Sequence, residues 1–443
     1  MDPVYDWAWV EAQVALTVKG WNACAGCAAP EVRRYSDQEH RQREWAYDEA
    51  LDTVEREARR ARGVKRGGAA GSDAIYERVV KAFARFAATA LELDGDSIEL
   101  MTQDFLPAGM QLAKWARQFD PGLSKADIIQ ACRNAWTACG LQPLLGQPAH
   151  LTPSILGYSL LYPYSDNYLD RDDLPREAKV AFCRRFRERL RGVMESAENE
   201  QEAAVWALVE LVEGQYPRAQ YPQVFDSMLA IHRAQEQSLA QVRGACTEEE
   251  LLRISCAKGG TSVLADACLA QPWLSDAESR FAFGWGVVLQ LGDDLQDLRE
   301  DRQRGSLTLF SGAAARGVRL DDLVRQLLNF SERVAAEAER LPHGTATLKG
   351  LLRMSWRSLI LMAVAESHAH FSREFLAEAE GWSPFRFGFL RRRRDRLAGR
   401  QGLYAMLFDI FLEAGNGEDT RLPRPEGRRR RAPEELAAEV LPA

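Results

Sequence analysis

The chain has 443 residues, of which 46% are apolar, 27% charged and 9% aromatic. That balance excludes a disordered, collagen-like or disulfide-scaffold protein. With 57 basic and 64 acidic residues the net charge is −7, which argues against a nucleic-acid partner.

No apolar run approaches the ~18 residues of a membrane-spanning helix. Asp2, Asp6 and Glu11 do not suit the basic start of a signal peptide. Eight cysteines are too dilute for a disulfide framework, so a reducing cytoplasm is expected. Cys24-x-x-Cys27 has no second pair at zinc spacing and reads as small residues near a terminus. His368 and His370, two apart, fall on different helix faces. Nucleotide-loop and serine-hydrolase motifs are absent from the sequence.

In chain order, β-branched runs are rare and Ala, Leu, Glu and Arg dominate, so an all-α fold is expected. Residues 5–62 read as helical, with a mixed acidic and basic run from Glu39 to Arg60. Arg62 to Asp73 (RGVKRGGAAGSD) reads as a flexible linker that closes an N-terminal extension, residues 1–73. From Ala74 to Ala414 long periodic segments alternate with short turns at Asp120-Pro121-Gly122 and Pro143 to Pro148. From Gly415 to Ala443 the composition is that of a disordered tail.

The first acidic motif is Tyr164 to Asp173 (YSDNYLDRDD). At 100° per residue Asp166, Asp170 and Asp173 share one helix stripe, continued backwards by Tyr162, Ser159 and Ile155. Thr152-Pro153 is a helix start, and Pro163 should kink or restart the helix. One face thus passes from apolar residues to carboxylates, as the wall and mouth of a cavity would. A solvated acidic helix end is the plainer alternative.

The second motif lies in Leu289 to Leu309 (LQLGDDLQDLREDRQRGSLTL). Asp293, Asp297 and Asp301 are spaced i, i+4, i+8. Like charges so placed cost a helix roughly 0.2–0.5 kcal/mol each. The preceding Phe281 to Leu291 is apolar nearly all round, which marks a buried helix. Phe283, Gly286 and Gln290 continue the Asp stripe inward. Carboxylates growing out of a buried helix call for a compensating cation. Neither motif has the Glu-x-x-His pairs of a di-iron bundle, and oxygen-only ligands on helices suit magnesium held together with substrate phosphates. Facing each other across a bundle, the two helices could hold a cluster of magnesium ions around a diphosphate.

These motifs resemble those of the class I isoprenoid synthases, over roughly residues 126–310. D293-D294-x-x-D297, preceded by F283-G-W-G-V-V-L-Q290, is similar to the second aspartate-rich motif of trans-prenyltransferases. Q290-L-x-D293-x-x-x-D297-x-x-E300-D301-x-x-R304-G305 is similar to the corresponding segment of squalene and phytoene synthases, with Asp293 in place of Asn and Gln296 in place of Arg. D166-N-Y-L-D170 is similar to their D-x-x-x-D and to a segment of bacterial large-terpene cyclases. Lys258-Gly259-Gly260-Thr261 resembles both the Lys-Thr pair of prenyltransferases and the small-residue helix break of terpene synthases. The acceptor-binding G-G-K-R-x-R-P of chain-elongating prenyltransferases is missing; Lys65-Arg66-Gly67-Gly68 is a poor substitute.

The resemblance implies a helical isoprenoid synthase bundle over residues 74–414 with a central apolar cavity. It implies magnesium held by Asp166, Asp170, Asp293, Asp294, Asp297 and Asp301, with Asp294 either a ligand or a supporting group. It implies a polyprenyl diphosphate substrate contacted by Lys258 and Arg304, and less directly by Arg253. Tyr158, Tyr162, Phe283 and Trp285 are candidates for lining the cavity, although core packing is the plainer reading of each. The implied activity is ionisation to an allylic carbocation, followed by cyclisation or by condensation with a second substrate. A magnesium-dependent helical phosphohydrolase and a non-catalytic diphosphate-binding protein are the other readings. Arg391 to Arg394, followed by an apolar segment, Leu403 to Ala414, could rest on an anionic membrane surface, could cap the cavity mouth, or could be solvated. A second run, Arg428 to Arg431, falls in the expected tail.

Overall fold

The computed structural model describes residues 4–63, 69–169, 171, 173–238, 246–400 and the single positions 402, 408, 409, 412 and 422. Among them there is no strand. The helices are α1 (Trp7–Asn22), α2 (Asp37–Gly63), α3 (Ala69–Ala90), α4 (Gly95–Glu99), α5 (Leu106–Phe119), α6 (Lys125–Leu144), α7 (Pro153–Leu169), α8 (Arg176–Leu190) and α9 (Glu200–Gln215). They continue as α10 (Pro222–Ser238), α11 (Glu248–Ala270), α12 (Asp276–Gln296), α13 (Leu298–Arg304), α14 (Leu309–Ala315), α15 (Asp321–Ala338), α16 (Ala346–Glu366), α17 (Arg373–Trp382) and α18 (Phe387–Ala398). A π-helical turn, Leu100–Phe105, links α4 to α5.

The centre is the pair α11 and α12. Both start on reciprocal caps, Thr247 with Glu250 and Ser275 with Glu278, which satisfy backbone donors at the helix starts. Both are largely buried, α12 as the apolar run from Phe281 to Leu291 predicts. They run antiparallel and very close. A Cβ on Gly286 would lie 1.9 Å from the Gly259 carbonyl oxygen, and one on Gly260 would lie 2.4 Å from the Phe283 ring. The glycines thus serve a helix contact rather than a break: α11 is continuous from Glu248 to Ala270, contrary to the break expected at Gly259-Gly260.

Around this pair, α6, α10 and α1 pack on α11, while α15 and α16 pack on α12. Helix α7 packs on α9, α6 and α11, and runs through Pro163 without restarting. The N-terminal segment enters the same core through Tyr5, Val10, Val14, Val18 and Trp21, and the Tyr5 hydroxyl lies 2.8 Å from Ser279 Oγ. Residues 5–62 form two helices with a non-helical stretch at 23–36 between them. Helix α3 begins at Ala69, inside the stretch read as linker; its Ala69-Ala70 start favours helix, and residues 64–68 lie outside the described set. Pro143 belongs to the last turn of α6, and the chain turns at Gly146 with φ +78°.

The arginine run is drawn inward. On α18, Arg393 pairs with Asp48 and Arg396 with Asp52 and Glu55, all on α2. Arg386 pairs with Glu44, Arg394 with Glu366 at 3.4 Å, and Arg391 donates to the Ala365 carbonyl at 3.2 Å. Beneath this ladder Tyr47, Phe86, Phe385 and Phe389 pack edge-to-face and stacked. Most of Leu403 to Ala414, the run Arg428 to Arg431 and the rest of the expected tail except Leu422 lie outside the described residues. No described helix is long and apolar enough to cross a membrane.

Candidate functional site

The second acidic motif sits where α12 emerges from the core. Helix α12 ends at Gln296, with Asp297 as its cap, yet hydrogen bonds of helical spacing continue across the junction. The Asp297 amide donates to the Asp293 carbonyl at 2.8 Å, and the Asp301 amide to the Asp297 carbonyl at 2.9 Å. Asp293, Asp297 and Asp301 therefore stay on one side, as their spacing requires. Gly305, at φ +69°, closes α13 in the left-handed conformation that glycine adopts without strain.

Asp294 turns inward and is the most buried of the four at 6% exposure. Ser255 Oγ on α11 donates to its Oδ2 at 2.7 Å, and Gln290 Nε2 donates to its Oδ1 at 2.8 Å. Burial pushes this carboxyl up to about 6 despite those bonds. Asp301 is pushed up to about 7 by burial and by the charges of Asp294 and Asp297. Burial also raises Asp293, against the opposing pull of Arg133 and Lys258. Asp297 is raised by burial and by Asp293 and Glu300. The four carboxyl groups thus resist ionisation together, because burial and their mutual repulsion exceed the attraction of the basic groups nearby.

Three basic residues supply that attraction. Lys258, half-buried on α11, acts on Asp293, Asp294 and Asp301. Arg304, exposed on α13, acts on Asp297 and Asp301, and lies 3.9 Å from Glu300. Arg133 on α6 places Nη2 3.1 Å from Asp293 Oδ1. The sequence reading missed Arg133, since nothing in the pattern of α6 distinguishes it from any solvent-facing arginine. Arg253, half-buried on α11, acts on the Cys256 thiol, which also feels Asp294.

The first motif occupies the end of α7. Asp166 is half-buried and accepts from Ser165 Oγ at 3.1 Å; burial raises the Tyr158 hydroxyl and the Cys183 thiol, and the charge of Asp166 adds a smaller push to each. Asp170 lies outside the described residues. Asp173, on the same sequence stripe, is bound by Arg171 Nε at 2.9 Å in a local pair. Among the described residues no three His, Cys, Asp or Glu side chains are grouped as a metal ion requires. The donors fit magnesium in kind, being hard carboxylate oxygens, and the raised acids of α12 and α13 would be relieved by a cation.

The aromatic candidates divide. Tyr158 is buried and its hydroxyl donates to the Ser262 carbonyl at 3.1 Å. Trp285 is buried, packs edge-on against Trp356 at 5.7 Å, and leaves its Nε1 without a hydrogen-bond partner. Phe283 is core packing against Trp9 and Gly260. Tyr162 is 41% exposed and lines no interior. Surface clefts of about 550 and 450 Å³ are lined by groups such as Arg43, Trp45 and Thr89 in one case and Arg176 and Arg184 in the other, and neither includes a residue of the acidic motifs. All eight cysteines are free thiols, including Cys24 and Cys27.

Comparison with protein-family models, curated proteins and solved structures gives no match.

Proposed function

We propose that this chain is a magnesium-dependent isoprenoid biosynthesis enzyme of the class I isoprenoid synthase kind, which ionises a polyprenyl diphosphate to an allylic carbocation. The observation that carries the reading is the acid face of α12 and α13. Asp293, Asp294, Asp297 and Asp301 are crowded there with pKa values above the ordinary carboxylate value, beside Lys258, Arg133 and Arg304. Without a multivalent cation such a cluster only destabilises the fold. With one it becomes a diphosphate site.

Asp293, Asp297 and Asp301 would hold the metal, together with Asp166 and Asp170 of the first motif; Asp294, tied to Ser255 and Gln290, would orient the cluster from behind. Magnesium, when bound, supplies Lewis-acid neutralisation of the leaving diphosphate. Lys258 and Arg304 would bind the same group as charge builds on it. The buried aromatic faces of Tyr158 and Trp285 suit a carbocation more than a polar intermediate.

Among product types, cyclisation by a terpene synthase is favoured over condensation of the squalene and phytoene synthase type, because the sequence carries no acceptor-site motif. The test is incubation with geranyl, farnesyl and geranylgeranyl diphosphate, singly and in pairs, with and without magnesium. A magnesium-dependent hydrocarbon or cyclic alcohol from one substrate is the expected result. A product with the combined carbon count of two substrates would make the chain a condensing transferase. A free prenol as sole product would make it a phosphohydrolase. No consumption, with no rise in melting temperature on adding magnesium and diphosphate, would leave only a non-catalytic role without this ligand. Asp166→Ala and Asp297→Ala should each abolish turnover without unfolding the chain. Normal turnover by both variants would remove the metal assignment.

A further inference from the structure

One buried acid is not used by the site above. Asp266 lies on α11, two turns beyond Lys258, and is 1% exposed. Asn134 Nδ2 on α6 donates to its Oδ1 at 3.0 Å and also reaches Ser159 Oγ on α7 at 3.2 Å. Its other oxygen, Oδ2, has no hydrogen-bond partner. Among the described residues no cation offsets its charge. Burial holds it well above the usual carboxylate range, and the Asn134 bond is the one influence opposing that. A carboxyl so placed is neutral, and because Oδ1 is engaged as an acceptor the proton belongs on Oδ2.

The surroundings connect this acid to the acidic site. Ser255, Ser262 and Asp266 are spaced seven and four residues apart, so they share one face of α11. Ser255 holds Asp294 at one end. The Ser262 carbonyl accepts from Tyr158 in the middle. Asp266 closes the series about 16 Å along the axis from Ser255, at 1.5 Å per residue. Tyr158 feels both Asp266 and Asp166, and Cys139 on α6 is pushed up to about 12 by burial and by Asp266. The acid therefore stands where α6, α7 and α11 meet, on the stripe of α11 that Lys258 and Ser262 share with it at intervals of four residues, and Lys258 is the member beside the acid cluster. A donor without an acceptor in a helical core costs stability, and a Leu there would avoid that cost.

We propose that Asp266 is an internal proton-transfer group acting on the hydrocarbon end of a polyprenyl chain whose diphosphate sits at the acid cluster. The proposal rests on the isoprenoid synthase reading. The first cation loses a proton to the released diphosphate, its C–H pair becoming a C=C bond. In the forward step the Oδ2–H bond of Asp266 breaks and the proton goes to an alkene carbon of that neutral intermediate. The alkene's π pair forms the new C–H bond and the cation appears on the neighbouring carbon. In the return step a C–H bond beside a cation breaks, its electron pair becomes the new C=C bond, and the proton restores the acid. No other reactant is consumed.

The experiment uses the full chain, equilibrated in D2O and then given magnesium with farnesyl or geranylgeranyl diphosphate. The product of the unaltered protein should carry one deuterium on carbon. Asp266→Asn keeps the shape and the acceptor for Asn134. It should release a different, unlabelled alkene. Infrared difference spectra add a readout that needs no turnover: a protonated-carboxyl band that persists at pH 8 and is lost in Asp266→Asn. Product without deuterium from the unaltered protein, an unchanged labelled product from the variant, or no such band would each overturn the role of Asp266 and leave the class reading intact. If no polyprenyl diphosphate is consumed at all, the class reading fails and the proposal falls with it.

Discussion

The replacement Asp294→Asn separates the electrostatic load of the acid cluster from its packing. Asp294 is held by two donors, Ser255 Oγ and Gln290 Nε2. An Asn can keep both contacts: its Oδ1 accepts from Gln290, and its Nδ2 donates to the serine oxygen, whose hydroxyl rotates freely. What the substitution removes is the charge. The folded carboxyl titrates near 6 against an ordinary value of 3.8. A shift of about two units is worth on the order of 3 kcal/mol. The folded pKa is raised, so the folded state binds the extra proton. The penalty is absent below the unfolded value, grows as pH rises between the two values, and is complete above the folded one. In metal-free buffer near pH 8, Asp294→Asn should therefore be more stable than the unaltered chain by up to about 3 kcal/mol, and near pH 4 the two should converge. Urea unfolding across that range measures the difference from the midpoints. A variant that is equally or less stable at pH 8, or a gap that does not change with pH, would refute the electrostatic account of the cluster.

Other expectations follow from contacts away from the acids. Gly286→Ala forces a Cβ onto the Gly259 carbonyl and should cost about 3 kcal/mol in urea unfolding. Gly350→Ala on α16 meets nothing within 4 Å and should instead stabilise by roughly 0.5–1 kcal/mol, so an equal effect of the two would remove the close-contact argument. Glu55→Ala takes the shared partner from Arg59, Arg396 and Arg400 and should cost about 2 kcal/mol, a loss that shrinks in high salt. Because Arg391, Arg393 and Arg394 already have partners within the chain, sedimentation with anionic lipid vesicles should be weak and should rise when Asp48 and Glu366 are replaced by Ala.

Much of the helical framework was legible in the sequence because it depends on local pattern. Thr152-Pro153 marks the start of α7 through the fixed backbone angle of proline at the first helical position. The run from Phe281 to Leu291 announces a buried helix through its own apolarity. The i, i+4, i+8 spacing keeps Asp293, Asp297 and Asp301 together even though the helix is interrupted at Asp297, since the hydrogen bonds across the junction keep helical spacing. Gln290 lies on the inward continuation of that stripe, and it is one of the two residues that donate to Asp294.

What the sequence by itself determined, then, is the all-helical class, the burial of α12 and the grouping of its acids, because each rests on residues within a few turns of one another. Only the tertiary structure decided what crosses between helices. It turned Gly259 and Gly260 from a suspected break into a close packing surface, since a glycine's permissiveness reads the same in both cases until the facing Gly286 and Phe283 are known. It paired Arg133 with Asp293, 160 residues apart in the chain. It joined the arginines of α18 to the acids of α2, and it set Asp266 between Asn134 and the core with one oxygen unpartnered. Such pairings depend on how helices dock, which is fixed by the shapes and volumes of the whole core rather than by any local spacing.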